Sequence, residues 1–368
     1  MATFTLAPPT RIVGIGGGTG LSVLLDGLRR LGEASRARGS AFEITAVVSV
    51  ADDGGSTGRL REAFGVPAVG DLRQCMAALA GDGSPWSRLL QHRFTAGDGL
   101  SGHALGNLVL TAAIEQSGGL LPALESLRAT LGLRGRVLPA TEVPVTLCAE
   151  LADGRLIAGE SAIRSAAGRI AGVRLTPAGA PPAAGVLEAI ADADVIVLGP
   201  GSLFSSVLPN LLVDGVVGAV RRARGVRVFV CNLMTERGET EDFDLGDHLR
   251  ALERLLGAGT VDACVVNDGE IAPKVVARYA ARGALPVSWQ AGTGLPLLPG
   301  RPLTVHADLL PEGPFRNRHD AEKLARAVMA LAECLRHAPW TTLPTARPGR
   351  TRASSVHTLQ SLTAQEIP

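Results

Sequence analysis

Glycines, hydroxyls and carboxylates gather at the ends of apolar runs in this chain, a pattern suited to gripping an anionic ligand. Residues 12–15 read as a buried strand, 16–20 as a turn, and Leu21, Leu24, Leu25 and Leu28 as the apolar face of the next helix. In such a turn Gly17, Gly18, Thr19 and Gly20 let the main chain approach a phosphate without Cβ interference, and the amides at the helix start face the anion. A tight turn with no ligand is the plain alternative. The dinucleotide spacing fails, because Thr19 stands where a third glycine belongs, and the lysine of a Walker loop is missing.

A second apolar run, 46–50, ends in Asp52 and Asp53 and then Gly54, Gly55, Ser56 and Thr57. In an open parallel sheet the strand tips lie side by side and ligands bind beyond their carboxyl ends. These acids suit a ribose or sugar hydroxyl, or Mg2+ held through oxygen. The alternative has Asp52 capping a turn and Asp53 facing water.

The same order of strand, glycine loop and helix recurs at 194–206, where Gly201 and Ser202 make a second candidate anion site. Ser202 and Ser205 suit helix caps equally well. Asn210 follows Pro209 within an apolar helix, where its amide needs a partner that a ligand hydroxyl or base edge would supply. Asn232, Thr235 and Thr240 lie past the next strand tip, and His103 and Asn107 stand at the head of a helix expected over 105–116. His92 carries a weaker signal. Arg59, Arg73 and Arg318 are the cations to set against a diphosphate, although an arginine on an exposed helix is usually only solvated.

The elements that must position these groups form an open α/β pattern. A strand, helix and strand run from 11 to 50, and further strands are expected at 193–199, 226–231 and 263–266, with a closing helix over 320–335. Between them, 137–180 changes character. Residues 143–151 and 156–160 around the turn at Asp153 and Gly154 read as a hairpin, so this stretch is taken as a small inserted subdomain. Residues 1–10 read as a tail, 11–338 as the main domain, and 339–368, rich in Pro, Arg, Ser and Thr without periodicity, as a disordered tail.

Composition excludes several classes. With 46% hydrophobic and 19% charged residues over 368 positions the chain reads as globular, and a net charge of +1 argues against nucleic-acid binding. The cations are nearly all arginine, with lysine only at Lys274 and Lys323. Five widely spaced cysteines without a Cys-x-x-Cys pair suit reduced core positions. No segment resembles a signal peptide or a membrane span, so a cytoplasmic location without membrane insertion is expected. Hydrolase elbows and zinc spacings are absent, and no catalytic residue is assigned.

Taken in order, Gly-Gly-Gly-Thr-Gly at 16–20, Val-Ala-Asp-Asp-Gly-Gly-Ser-Thr-Gly-Arg at 50–59, Gly-Asp-Leu-Arg at 70–73, Gly-His-Ala-Leu-Gly-Asn at 102–107, Gly-Pro-Gly-Ser-Leu at 199–203, Leu-Pro-Asn-Leu-Leu at 208–212 and Arg-His-Asp at 318–320 resemble the YvcK-type gluconeogenesis factors. These are relatives of the 2-phospho-L-lactate transferases of deazaflavin-cofactor synthesis. The resemblance implies a Rossmann-like, mostly parallel sheet with helices on both faces. It implies a cytoplasmic protein that binds UDP-sugars such as UDP-N-acetylglucosamine or UDP-glucose, requires no cofactor, and regulates carbon metabolism, cell-wall synthesis and cell shape through an unidentified protein partner, with homo-oligomer formation open. In the transferases the aspartates after the second strand work with Mg2+, and Asp52 and Asp53 occupy comparable positions. Gly159, Glu160 and Ser161 resemble the regulatory branch instead. The enzyme alternative is Mg2+-dependent transfer of a phosphate-containing group; a dinucleotide oxidoreductase would need the missing glycine.

Overall fold

The computed structural model describes residues 9–36, 41–289, 302–313 and 318–337. Apolar runs set its strands, which in chain order are β1 (Thr10–Gly16), β2 (Phe42–Val48), β3 (Arg136–Pro139), β4 (Thr146–Leu151), β5 (Leu156–Ala158), β6 (Ile170–Thr176), β7 (Val195–Leu198), β8 (Val226–Val230), β9 (Ala263–Asn267) and β10 (Leu303–Ala307). Seven of them form one sheet in the order β10-β9-β8-β7-β1-β2-β3, with every neighbouring pair parallel. Helices cover both faces, which explains why β7 is buried along its whole length and reads as an unbroken apolar run. The α/β, Rossmann-like expectation holds.

The helix Gly18–Arg36 buries Leu21, Leu24, Leu25 and Leu28, the stripe expected of one face turned to a core. Against it lies the helix Ala321–His337, entered through Asp320, whose carboxylate accepts from the Lys323 amide at 2.9 Å. The two backbones touch at Gly27, where an added Cβ would stand 1.8 Å from the Ala321 carbonyl oxygen.

A second, antiparallel sheet has the order β5-β4-β6. The hairpin expected over 143–160 is β4 and β5, but its second arm stops at Ala158, and Glu160 opens a helix, Glu160–Ser165. Two boundaries differ from expectation. Residues 136–139 are the edge strand of the main sheet, so the small sheet begins only at Thr146, and 170–176 supply a third strand that its mixed sequence concealed. The tail expected at 339–368 lies outside the described residues.

Among the described residues no single helix is long and apolar enough to cross a membrane. All five cysteines are free; Cys75, Cys148, Cys231 and Cys264 are buried as expected, and Cys334 is exposed.

Replacing Gly27 by alanine sets two effects against each other. Alanine favours a helix interior by about 1 kcal/mol. Overpacking costs about 1–3 kcal/mol, and here the obstacle is backbone that cannot rotate away. Gly27→Ala is therefore expected to lower stability to urea, and a midpoint equal to or above that of the parent would disprove the close contact.

Candidate functional site

In the main sheet the chain runs outward from β1 through β2 to β3 on one side, and from β7 through β8 to β10 on the other. Loops leaving adjacent strands β1 and β7 therefore part in opposite directions, and a crevice opens between them. Both loops are glycine-rich, and they lie backbone against backbone. A Cβ on Gly20 would stand 2.4 Å from the Pro200 carbonyl oxygen, and one on Gly17 would stand 2.3 Å from Asp71 Oδ2. Gly18 (φ 62°) and Gly201 (φ 152°) adopt backbone that L side chains rarely take.

Asn210 fastens this junction. It is fully buried, and its Nδ2 donates to the Gly16 carbonyl at 3.0 Å and the Ser206 carbonyl at 2.7 Å, joining the end of β1 to the far loop. The protein's own main chain thus satisfies Nδ2, while the buried Oδ1 has no partner among the described residues. Asn232 acts on the second loop: its Oδ1 accepts from Gly201 N and its Nδ2 donates to Gly201 O, each at 3.0 Å.

The crevice forms a cleft of about 520 Å3. Ten of the residues expected from sequence line it: Gly17, Gly18, Thr19, Gly20, Asp52, Gly201, Ser202, Asn232, Thr235 and Arg318. Several already hold protein partners. Thr19 Oγ1 donates to Gln74 Oε1, Ser202 Oγ to Glu236 Oε2, and Thr235 Oγ1 accepts from the Leu285 amide. Ser202 holds the N-cap position of the helical turn Leu203–Val207 but its hydroxyl makes no capping bond, and Ser205 lies within that turn with its Oγ donating to Glu239.

Five expected residues do not line the cleft. Asn210 sits beneath it. Asp53 turns to a separate shallow cavity with Arg61 and Glu62, and its Oδ1 accepts from Ser161 N at 2.9 Å. Arg73, His103 and Asn107 are buried elsewhere. Asp52 Oδ1 accepts from the Gly54 amide at 2.8 Å, the turn contact weighed as its structural alternative, while the residue still lines the cleft. Asp52 and Asp53 thus face different cavities, and among the described residues no group of three or more His, Cys, Asp or Glu is arranged to hold a metal ion. The pair does not fit a shared Mg2+.

Sequence reasoning missed the acids that set the cleft's character. Asp71, Glu160 and Glu236 line it together with Arg164 and His319. Arg164 reaches Glu160 at 2.6 Å and Glu239 at 3.5 Å, so one guanidinium serves a crowd of carboxylates. Burial, reinforced by Asp52, raises Asp71 to about 6; burial outweighs Arg164 and raises Glu160 to about 8. Burial and then repulsion from Glu239 raise Glu236 to about 7. Burial also lowers His319 to about 4, against a backbone hydrogen bond with Cys231, so its ring is neutral at pH 7. Near neutrality several of these acids keep a proton, which turns would-be anions into hydrogen-bond donors facing the cleft.

Two outcomes follow from this geometry. Asn210→Ala removes both of its bonds, at a cost of about 0.5–1.5 kcal/mol each, while the Gly16 carbonyl keeps its bond from the Ser49 amide at 3.1 Å; the loss is measurable by urea denaturation, and an unchanged midpoint would remove Asn210 from its role as a fastener. The raised carboxylates bind protons more tightly folded than unfolded, so their contribution is complete near the ordinary carboxylate range and is lost as pH rises. The buried histidines, lowered from 6.5, act the other way up to about pH 7, so the melting temperature should fall between about pH 7 and about pH 8, and Glu236→Gln should flatten that fall. A melting temperature that climbs across the window would contradict the assignment.

Comparison with known proteins agrees with the fold. A family model described as 2-phospho-L-lactate transferase CofD matches residues 12–294. The gluconeogenesis factor of Bacillus subtilis is 39% identical over 325 residues, covering 87% of this chain and 98% of that protein. That of Halalkalibacterium halodurans is 44% identical over 276 residues, covering 75% and 83%. The crystal structure of protein BH3568 from Bacillus halodurans superposes with a TM-score of 0.81 at 40% identity, over 88% of this chain and 100% of that one. With its ordered motifs, its sheet and its paired glycine loops, the chain belongs to the gluconeogenesis factors of the CofD family.

Proposed function

We propose that this protein binds a UDP-sugar, UDP-N-acetylglucosamine or UDP-glucose, and acts in the cytoplasm as a regulator of carbon metabolism, cell-wall synthesis and cell shape through a protein partner. The observation that carries the reading is the meeting of two glycine loops at the switch point of the sheet, above a cleft of about 520 Å3. That volume lies within the ~300–1,000 Å3 usual for small-molecule sites. The diphosphate lies across the main chain at 17–20 and 201–202, with Arg318 and Arg164 as counter-charges. Asp52 and Asn232 recognise hydroxyls, and protonated Glu160 and Glu236 donate to phosphate or sugar oxygens. The names of the relatives support a role in carbon metabolism.

Binding of this kind needs no metal, since the main chain and two arginines supply the positive end. The second reading, transfer of a phosphate-containing group, is favoured by the family match. The separate directions of Asp52 and Asp53 weigh against a metal-bridged version of it.

Calorimetric titration with UDP-N-acetylglucosamine, UDP-glucose and NAD, with and without Mg2+ and with recovery of the nucleotide, tests the choice. Saturable UDP-sugar binding without Mg2+ and intact recovered ligand are expected. Arg318→Ala should weaken binding about tenfold, as loss of one charge-assisted contact does. Affinity should also fall as pH rises through about 7, where Glu236 loses its proton beside the phosphates. Consumption of the nucleotide would transfer the assignment to the enzyme, and absence of UDP-sugar binding would sink the proposal.

A further inference from the structure

Arg73 is the buried cation that the cleft leaves unused. It stands on the helix Gly70–Leu79 two positions after Asp71. Residues two apart on a helix point some 200° away from each other, so while Asp71 faces Gly17 and the cleft, Arg73 faces the opposite side. There its stem lies on the first turn of the helix Leu105–Ser117, where a Cβ on Gly106 would stand 2.7 Å from Arg73 Cγ. Arg73 is only 8% exposed; its Nε has no hydrogen-bond partner and, among the described residues, its side chain forms no direct ion pair, the favourable charges acting on it being those of Asp71 and Asp52. A buried guanidinium nitrogen left without an acceptor is costly.

More positive charge gathers at the same turn, and among the described residues no carboxylate forms an ion pair with Arg59 or Arg93. Arg59 Nη2 donates to the Ser101 carbonyl at 3.0 Å, and Arg93 Nη1 to the next carbonyl, Gly102. The following residue, His103, is 6% exposed, and its Nδ1 is bound to Ser56 Oγ at 3.1 Å, which leaves Nε2 unengaged. Burial and then the charges of Arg59 and Arg93 lower His103, so the ring is neutral near pH 7; burial followed by Arg93 also lowers Arg73, against the opposing charges of Asp71 and Asp52. Asn107, whose Nδ2 donates to the same Ser56 Oγ at 3.0 Å, keeps a buried Oδ1 without a partner. Donors therefore outnumber acceptors on this side of the helix.

We infer that Arg73, Arg93, Arg59 and His103 form a second anion site, walled from the cleft by the helix Gly70–Leu79, that takes a phosphate group from a ligand other than the cleft's nucleotide. The planar forks of arginine match phosphate oxygens, and the hydroxyl of a monoprotonated phosphate offers Asn107 Oδ1 the donor it lacks. Citrate and other carboxylates share the charge but not this hydroxyl on the anionic centre.

The test uses the full chain with histidine side chains labelled by 15N. Inorganic phosphate and glycerol 3-phosphate are titrated separately, by calorimetry and by the imidazole resonances of His103. Either ligand should shift the His103 signals saturably, and the one that does so identifies the source of the phosphate. Arg93→Ala, a change at an exposed residue, should weaken that binding about tenfold and leave the affinity for UDP-N-acetylglucosamine within about twofold; Arg73→Gln should do the same if it folds. Binding of neither phosphate, unchanged phosphate affinity in Arg93→Ala, or competition between phosphate and UDP-N-acetylglucosamine would each overturn the inference. The phosphate titration stands apart from the UDP-sugar reading: if no UDP-sugar binds, the cleft's assignment fails while the response of His103 still decides this one.

Discussion

A single carbonyl, that of Gly16, holds the ligand end of this molecule together. It terminates β1 at the point where the sheet divides, and it accepts from the Ser49 amide just past the end of β2 at 3.1 Å. Asn210 supplies a second donor from 194 residues away and spans to Ser206 with the same nitrogen. With that bond in place the two glycine loops close to backbone contact, and side chains other than hydrogen at Gly17 and Gly20 are excluded by Asp71 and Pro200. The shape of the cleft is thus a main-chain property, set by one buried amide.

The charges around that cleft are arranged against intuition. A site for a diphosphate would be drawn with cations, yet Asp52, Asp71, Glu160 and Glu236 line it beside Arg164 and Arg318. Burial resolves the conflict by holding part of the set protonated, so the same groups donate where ionised acids would repel. The helix Gly70–Leu79 then separates two environments: carboxylate on the cleft side at Asp71, and on the other a buried guanidinium, Arg73, whose Nε has no acceptor.

Much of the frame was legible in the sequence because buried parallel strands read as apolar runs that give way to glycine or polar residues, as at β1, β2, β7, β8 and β9. β3, β6 and β10 were not, for β3 has four residues at the sheet's edge and the other two mix polar and apolar positions. At the cleft, glycines and hydroxyls on strand tips announced themselves. Glu160 and Arg164 did not, since they come from the small sheet's helix, although their i, i+4 spacing after Gly159 was a readable pairing signal. Arg73 drew attention ahead of Asp71 on charge alone, where counting two residues along a helix would have put them on opposite sides. Asn210 was recognised as needing a partner, but no local pattern could reveal a carbonyl 194 residues upstream.

The strand order also governs how the chain assembles. β1 lies inside the sheet, flanked by β2 nearby in sequence and by β7, whose contact begins where the Asp194 carboxylate accepts from the Arg11 amide across 183 residues. One edge of the earliest strand must therefore stay open until more than half of the polypeptide has been made. Such long-range closure slows folding, and an open apolar edge is a template for the wrong neighbour. Until β7 docks, β1 is the point at which this protein is most vulnerable to association with other nascent chains.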